Sequence, residues 1–271
     1  MSRSGDKKPG RQLTDLPQTA PTQTQNRPYL PPIQPKGRAM STILMLGSAP
    51  MAQHAADWPR PPFDRILAIN NAWNIRPDWD DCIYPWDFPE DRRPTPGPNQ
   101  HIITQEHFVP AQNHYGGFVY AGGTMAFTAA YWALHEHRPQ TIAVFGCDMH
   151  YNTTGPTHFY GTGTPDPLRR DITLRSLEAK SARLMILAAQ QGTAMVNLST
   201  APSRLIFPRA TAQTMPRHPV SFNKTLAEQA MQRESTLNYY TPSGRYWQEA
   251  DRFDPVEIDA LDALWRAAAT P

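Results

Sequence analysis

The sequence predicts an α/β fold built on a mostly parallel, Rossmann-like sheet flanked by helices. Three observations carry that prediction. Short apolar runs recur along the chain and are continuous rather than alternating, as strands covered on both faces require. Segments with helical spacing separate the later runs, the pattern of strand–helix–strand units. Turn residues close the principal runs, so each strand is followed by a sharp change of direction.

Thr42–Leu46 (TILML) opens the series and ends in Gly47-Ser48-Ala49-Pro50. Arg65–Asn70 (RILAIN) is a second strand, and Asp81–Tyr84 (DCIY) and His101–Thr104 (HIIT) are weaker candidates. Gly123–His137 reads as a helix whose Ala126, Ala129, Ala130 and Ala133 permit close packing on a sheet. Arg138-Pro139 ends it, and Thr141–Phe145 (TIAVF) is the next strand, stopping at Gly146. Met149–Pro167, full of Gly, Thr, Pro, His and Tyr, is long enough to be a functional lid loop. Arg169–Gln191 then has the spacing of an amphipathic helix, with Gly192 at its C-cap. Ala194–Leu198 is the following strand, and Ser203–Phe207 a short apolar turn or helix. Residues 210–255 read as polar and irregular before a terminal helix over Val256–Ala269.

The chain therefore divides into a tail over 1–39, a Rossmann-like nucleotide-binding domain over 40–210, and a segment over 211–271 that packs on it through its terminal helix. The tail is basic and rich in Pro, Gln and Thr, too polar to offset its ordering entropy, and disorder is expected there. Across 271 residues, 26 basic and 24 acidic side chains leave a formal charge of +2, so nothing marks an obligate nucleic-acid binder. No apolar run approaches the roughly 18 residues of a transmembrane segment. Two cysteines and a polar N-terminus without a secretion signal fit a cytoplasmic protein. Peripheral attachment to a membrane through the tail, and homo-oligomerisation, stay open.

Ligands of open α/β sheets bind beyond the carboxyl ends of the strands. The residues there are Gly47, Ser48 and Ala49 after the first strand, Asn70 and Asn71 after the second, and Asp148 after Gly146-Cys147. Gly122, Gly123 and Thr124 open the Ala-rich helix. A Gly turn feeding a helix offers backbone N–H groups to a phosphate, and Asn side chains offer donors and acceptors to a ribose or base. A nucleotide site fits this set, although Gly turns after strands also arise for steric reasons alone. Trp73 and Trp86 also follow strand ends and are candidates for stacking a sugar or base.

The order of these blocks resembles the bacterial sialyltransferases of glycosyltransferase family 42, together with the related pterin diphosphokinase-like and flagellin-modifying domains. Gly47-Ser48-Ala49-Pro50-Met51 stands where the family has Gly-x-Gly-Pro-Ser. Asn70 or Asn71 matches its strand-ending Asn, and Tyr84-Pro85-Trp86-Asp87 loosely matches a Tyr-Asn-Pro segment. Gly122-Gly123-Thr124 matches its helix-opening pair, and Gly146-Cys147-Asp148 its Gly-Ile-Asp. His158-Phe159-Tyr160-Gly161 matches its lid segment, and Ser203-Arg204-Leu205 its final turn. The resemblance spans roughly residues 42–210. It implies a Rossmann-like transferase whose nucleotide-sugar donor, CMP-linked in the sialyltransferases, is held by Ser48, Ala49, Asn70, Asn71, Gly123 and Thr124.

Two departures bear on mechanism. Ala49 replaces the family's second turn Gly, narrowing backbone access to a phosphate. Thr162 stands where the family has its general-base His, so proton abstraction falls to His158 or His150, unless catalysis is lost. A neutral imidazole is the right base for an acceptor hydroxyl near pH 7. Tyr151 and Tyr160 are placed to assist a departing phosphate. The partners expected are a nucleotide sugar and a glycan or other hydroxyl acceptor.

No tightly bound cofactor and no metal are expected. Asp78-Trp79-Asp80 has the form of a metal-holding Asp-x-Asp, but it precedes a strand, so a solvated turn is expected. His135 and His137 lie two apart on a helix and do not face each other. Cys82 and Cys147 read as buried small residues. Mg²⁺ enters only under an alternative, a pterin-kinase-like pyrophosphate transfer from ATP. A non-catalytic nucleotide-binding protein of the same fold is the other alternative.

Overall fold

The computed structural model describes residues 41–151, 155–163 and 166–270; the expected tail over 1–39 lies outside them. Six strands form one sheet: β1 (Thr42–Leu46), β2 (Arg65–Ile69), β3 (Asp81–Ile83), β4 (His101–Ile103), β5 (Thr141–Phe145) and β6 (Ala194–Asn197). They run in the order β4-β3-β2-β1-β5-β6, and every neighbouring pair is parallel. The α/β class read from the sequence is therefore present.

Continuous apolar runs are explained by the two faces. Ile43, Met45, Leu67, Ile69, Ile142 and Val144 point into a core shared with the helices. Leu44, Leu46, Ile66, Ala68, Ala143 and Phe145 point into a second core with Ala52, Ala55, Phe63 and Trp79. On that second side the cover is a 3-10 segment, Pro50–Asp57, in place of a crossover α-helix.

The first face carries α1 (Gln105–His114), α2 (Phe118–Ala121), α3 (Met125–His137) and α4 (Leu177–Gln190). Thr124 caps α3 by accepting from the Phe127 N–H at 3.3 Å, and Ala129, Ala130 and Ala133 are fully buried against the sheet. The helix expected over Arg169–Gln191 begins only at Leu177. Asp171 caps a 3-10 turn at Ile172–Leu174, and Ser176 caps α4, so two side-chain caps split the periodic stretch. Gly192 follows α4 at φ +76, donating to the Ala189 carbonyl.

Residues 210–255 are not irregular throughout, because α5 (Lys224–Leu237) lies within them. It packs on α6 (Pro255–Ala268), which packs on α4. Only Ala227, Ala230 and Glu234 of α5 are buried, too small an apolar face to mark the helix by hydrophobicity. Two buried ion pairs hold this side together. Lys180 Nζ meets Asp262 Oδ1 at 2.9 Å, and Arg183 binds Glu234 through two 2.7 Å contacts.

Strand order reverses between β1 and β5, so the chain leaves these two neighbours toward opposite sides of the sheet. The crevice beyond their carboxyl ends is where an open parallel sheet takes ligands.

Candidate functional site

At that reversal the turns after β1 and β5 interlock. The Gly47 N–H donates to the Phe145 carbonyl at 2.8 Å, and the Ala49 N–H to the Gly146 carbonyl at 2.9 Å. A Cβ on Gly47 would lie 2.3 Å from the Gly146 oxygen and 2.5 Å from Cys147 Sγ. Gly47 is thus glycine because backbone passes against backbone, and two N–H groups of the turn are already committed. The Ser48 carbonyl instead accepts from the Phe159 N–H at 3.0 Å, which docks the loop after β5 onto the turn after β1.

That docking borders an open cleft of about 490 Å³ lined by Gln53, Asn71, Asn74, Arg92, Phe159 and Tyr160. The 3-10 segment after β1 supplies Gln53, and a second one, Asn70–Asn74, supplies the two Asn side chains. Asn71 and Asn74 lie three apart, so one tight helical turn presents both. Asn70 starts that turn with φ +52, and its buried Oδ1 has no hydrogen-bond partner among the described residues. Arg92 comes from the loop between β3 and β4. The Trp73 indole donates to the Arg92 carbonyl at 2.9 Å and pins that loop, so Trp73 serves as an anchor. No carboxylate pairs with the Arg92 guanidinium among the described residues. Phe159 packs against the second core and also lines the cleft.

Beside the cleft, His158 stacks on Tyr160 with ring centres 5.0 Å apart, and the Tyr151 ring is 6.1 Å away. Burial holds the His158 imidazole below its ordinary value of 6.5. It is therefore neutral at pH 7 and able to accept a proton. His150 is exposed at the start of the same loop and does not line the cleft among the described residues.

The helix-opening residues are elsewhere. Gly122, Gly123 and Thr124 sit at the N-terminus of α3, on the other face of the sheet, and do not line the cleft. The Gly123 N–H donates to Thr173 Oγ1 at 3.1 Å, and its carbonyl accepts from Arg169 Nη2 at 3.0 Å. Asp171 holds this cluster by accepting from Thr173 and from the Tyr246 hydroxyl at 2.8 Å. Burial opposes its ionisation, but those bonds and the Arg169 charge keep its carboxyl below the usual range. Asp148, 3% exposed at the end of β5, accepts from Asn197 Nδ2 at 3.2 Å, and its Oδ2 has no hydrogen-bond partner among the described residues.

Asp78-Trp79-Asp80 is not a solvated turn. Arg76 makes two 2.8 Å contacts with Asp78, and Asp80 accepts from Arg60 at 2.6 Å and from the Ile66 N–H at 2.7 Å. Asp81 takes Arg65 and lies near His101 and His137. This cluster lies at the start of β3, at the end of the sheet away from the cleft. Its carboxylates are committed to guanidinium groups and do not suit a metal. Among the described residues no three His, Cys, Asp or Glu side chains are grouped to hold one. Cys82 and Cys147 are buried, and burial pushes the Cys82 thiol up to about 12.

Gln53, Asn74 and Arg92 escape the sequence argument, and Phe159 enters it only as part of the matched lid segment. Gln53 and Asn74 each sit one turn past a recognised loop, which is a readable signal. Arg92 has none, because its approach depends on the route of the loop from Tyr84 to Arg93. Comparison of the chain with protein families, curated proteins and solved structures found no match in any of the three.

Proposed function

We propose that this chain is a glycosyltransferase-like enzyme that takes a nucleotide-activated sugar into the cleft and transfers the sugar to a hydroxyl acceptor. The observation that carries the reading is the docking of Phe159 on Ser48. It brings a neutral imidazole beside a cleft lined by three amides, an aromatic ring and a guanidinium that pairs with no carboxylate among the described residues. Amides from Gln53, Asn71 and Asn74 read a ribose or base without adding charge, and Arg92 takes the phosphate.

In the transfer, the acceptor O–H bond breaks and its proton forms a bond to His158, leaving the electron pair on oxygen. That oxygen attacks the anomeric carbon. The bond from this carbon to the donor phosphate oxygen breaks, and its pair leaves with the phosphate, stabilised by Arg92 and by the Tyr160 hydroxyl. The imidazolium then releases its proton to solvent.

One observation favours a second reading, a nucleotide-binding protein without catalysis. The N–H groups of Gly47 and Ala49 are consumed by β5 and cannot cradle a phosphate. Release of free nucleotide from donor by the purified chain would exclude it.

The test is a thermal-shift panel with CMP, CDP, UDP, GDP, ADP and ATP, each with and without Mg²⁺. Ligand at about 100 times its dissociation constant adds roughly 2.7 kcal/mol. The expected result is a metal-independent shift with a nucleotide, lost in Arg92→Ala while the melting point of the free protein holds. No shift with any nucleotide would end the transferase reading. A shift only with Mg²⁺-bound ATP would move it to pyrophosphate transfer.

A further inference from the structure

We propose that Thr157 is a positioning residue that fixes the tautomer of His158, with the proton on Nδ1 and the accepting lone pair on Nε2. The inference rests on the reading of His158 as the base of the cleft, and it follows from counting the protons around one hydroxyl. Thr157 Oγ1 has three close contacts: the Gly163 N–H at 2.8 Å, the Gly163 carbonyl at 3.1 Å and His158 Nδ1 at 2.9 Å. A hydroxyl carries one proton and two lone pairs.

The Gly163 N–H must donate, so it takes one lone pair. The carbonyl can only accept, so it takes the hydroxyl proton. His158 Nδ1 is left facing the second lone pair and must itself carry hydrogen. The other assignment gives the hydroxyl proton to Nδ1 and leaves two oxygens 3.1 Å apart with no hydrogen between them. Three satisfied contacts outweigh two contacts and a repulsion.

The surroundings keep this assignment simple. The flanking rings are Tyr151 and Tyr160, and among the described residues burial lowers the imidazole value with no charged group contributing. His158 is further fixed by its backbone, which exchanges hydrogen bonds with Gly161 at 2.9 and 3.1 Å. A Cβ on Gly163 would lie 3.5 Å from His158 Nδ1, so the turn passes directly beside the ring. Thr157 therefore does for His158 what an orienting carboxylate does in other acid–base pairs, without adding negative charge that would raise the imidazole's pKa.

The experiment is a long-range proton–nitrogen NMR spectrum of the uniformly ¹⁵N-labelled full chain at pH 8, with His158 assigned by its disappearance in His158→Gln. The expected pattern is a protonated Nδ1 in the wild type and in Thr157→Ser. Thr157→Val should move the proton to Nε2. A wild-type ring protonated at Nε2 would overturn the proposal, as would a Val variant with an unchanged pattern. Should Thr157→Val fail to fold, the wild-type and Ser spectra still decide. With donor and acceptor in hand, Thr157→Val should lower kcat at least about tenfold with KM unchanged, and Ser should restore it. Because the spectrum needs no substrate, an Nδ1-protonated ring in a chain that binds no nucleotide would sink the transferase reading and leave the tautomer standing.

Discussion

His158 is held by a hydroxyl on one side and by the Tyr160 ring on the other, so removing its imidazole tests base function separately from binding. His158→Ala is expected to cut turnover by about 10²–10⁴ while nucleotide affinity stays within a few fold. Equal losses in both, measured by initial rates and calorimetric titration, would assign the ring to binding. At this scale the sequence was informative where chemistry follows local spacing. Asn71 and Tyr160, both singled out by position, line the cleft. Gly47 stands where a phosphate-binding glycine is expected, yet its lack of a side chain is required by the Gly146 carbonyl. A steric and a ligand-driven glycine look alike in sequence, and only the neighbouring strand distinguishes them.

Elements were legible in proportion to their apolar content. The strands at β1, β2, β5 and β6 lie where continuous apolar runs predict them, because burial on both faces leaves a clear signal, while β3 and β4, three residues each, lie at the two weaker candidates. Helix α1 was hidden by Pro110 in its middle and a polar composition, and α5 by its narrow buried face. A buried charge adds to the small apolar face that holds α5, and no periodicity reveals it. Glu234 accepts from Arg183 and from the Trp265 indole at 2.8 Å, joining α4, α5 and α6 at one buried carboxylate. Glu234→Ala leaves the Arg183 charge uncompensated and is expected to destabilise the fold by about 3–5 kcal/mol. The double change Arg183→Met with Glu234→Leu should cost much less. Urea denaturation of both variants checks this, and a double variant as unstable as the single one would argue against it.

For the molecule as a whole, the buried and paired titratable groups set a direction with pH. Arg76 holds Asp78 below the ordinary carboxylate value, and Arg204 does the same for Glu178. Burial lowers His114, His135 and His158 from their ordinary 6.5. In each case the unfolded chain binds more protons, so stability rises with pH. The histidine part is complete above 6.5 and erodes as pH falls below it. The carboxylate part is complete above the ordinary carboxylate values and is lost on further acidification. Asp262, whose carboxyl burial raises, runs the opposite way but stands against several groups. The melting temperature is expected to climb steadily from pH 3.5 to 7.5, and a flat calorimetric profile would contradict this balance. The order of the strands has a different kind of consequence, in time rather than energy. On the ribosome β1 can pair with β2 soon after both emerge, but its other edge waits for β5, with the whole stretch from Gly47 to Gln140 still to be made. At typical rates of synthesis that is on the order of ten seconds during which the most apolar strand of the sheet has an open edge. The nascent chain is then at its most vulnerable to association with other copies, and it stays so until Thr141–Phe145 slides in beside Thr42–Leu46 and closes the centre of the sheet.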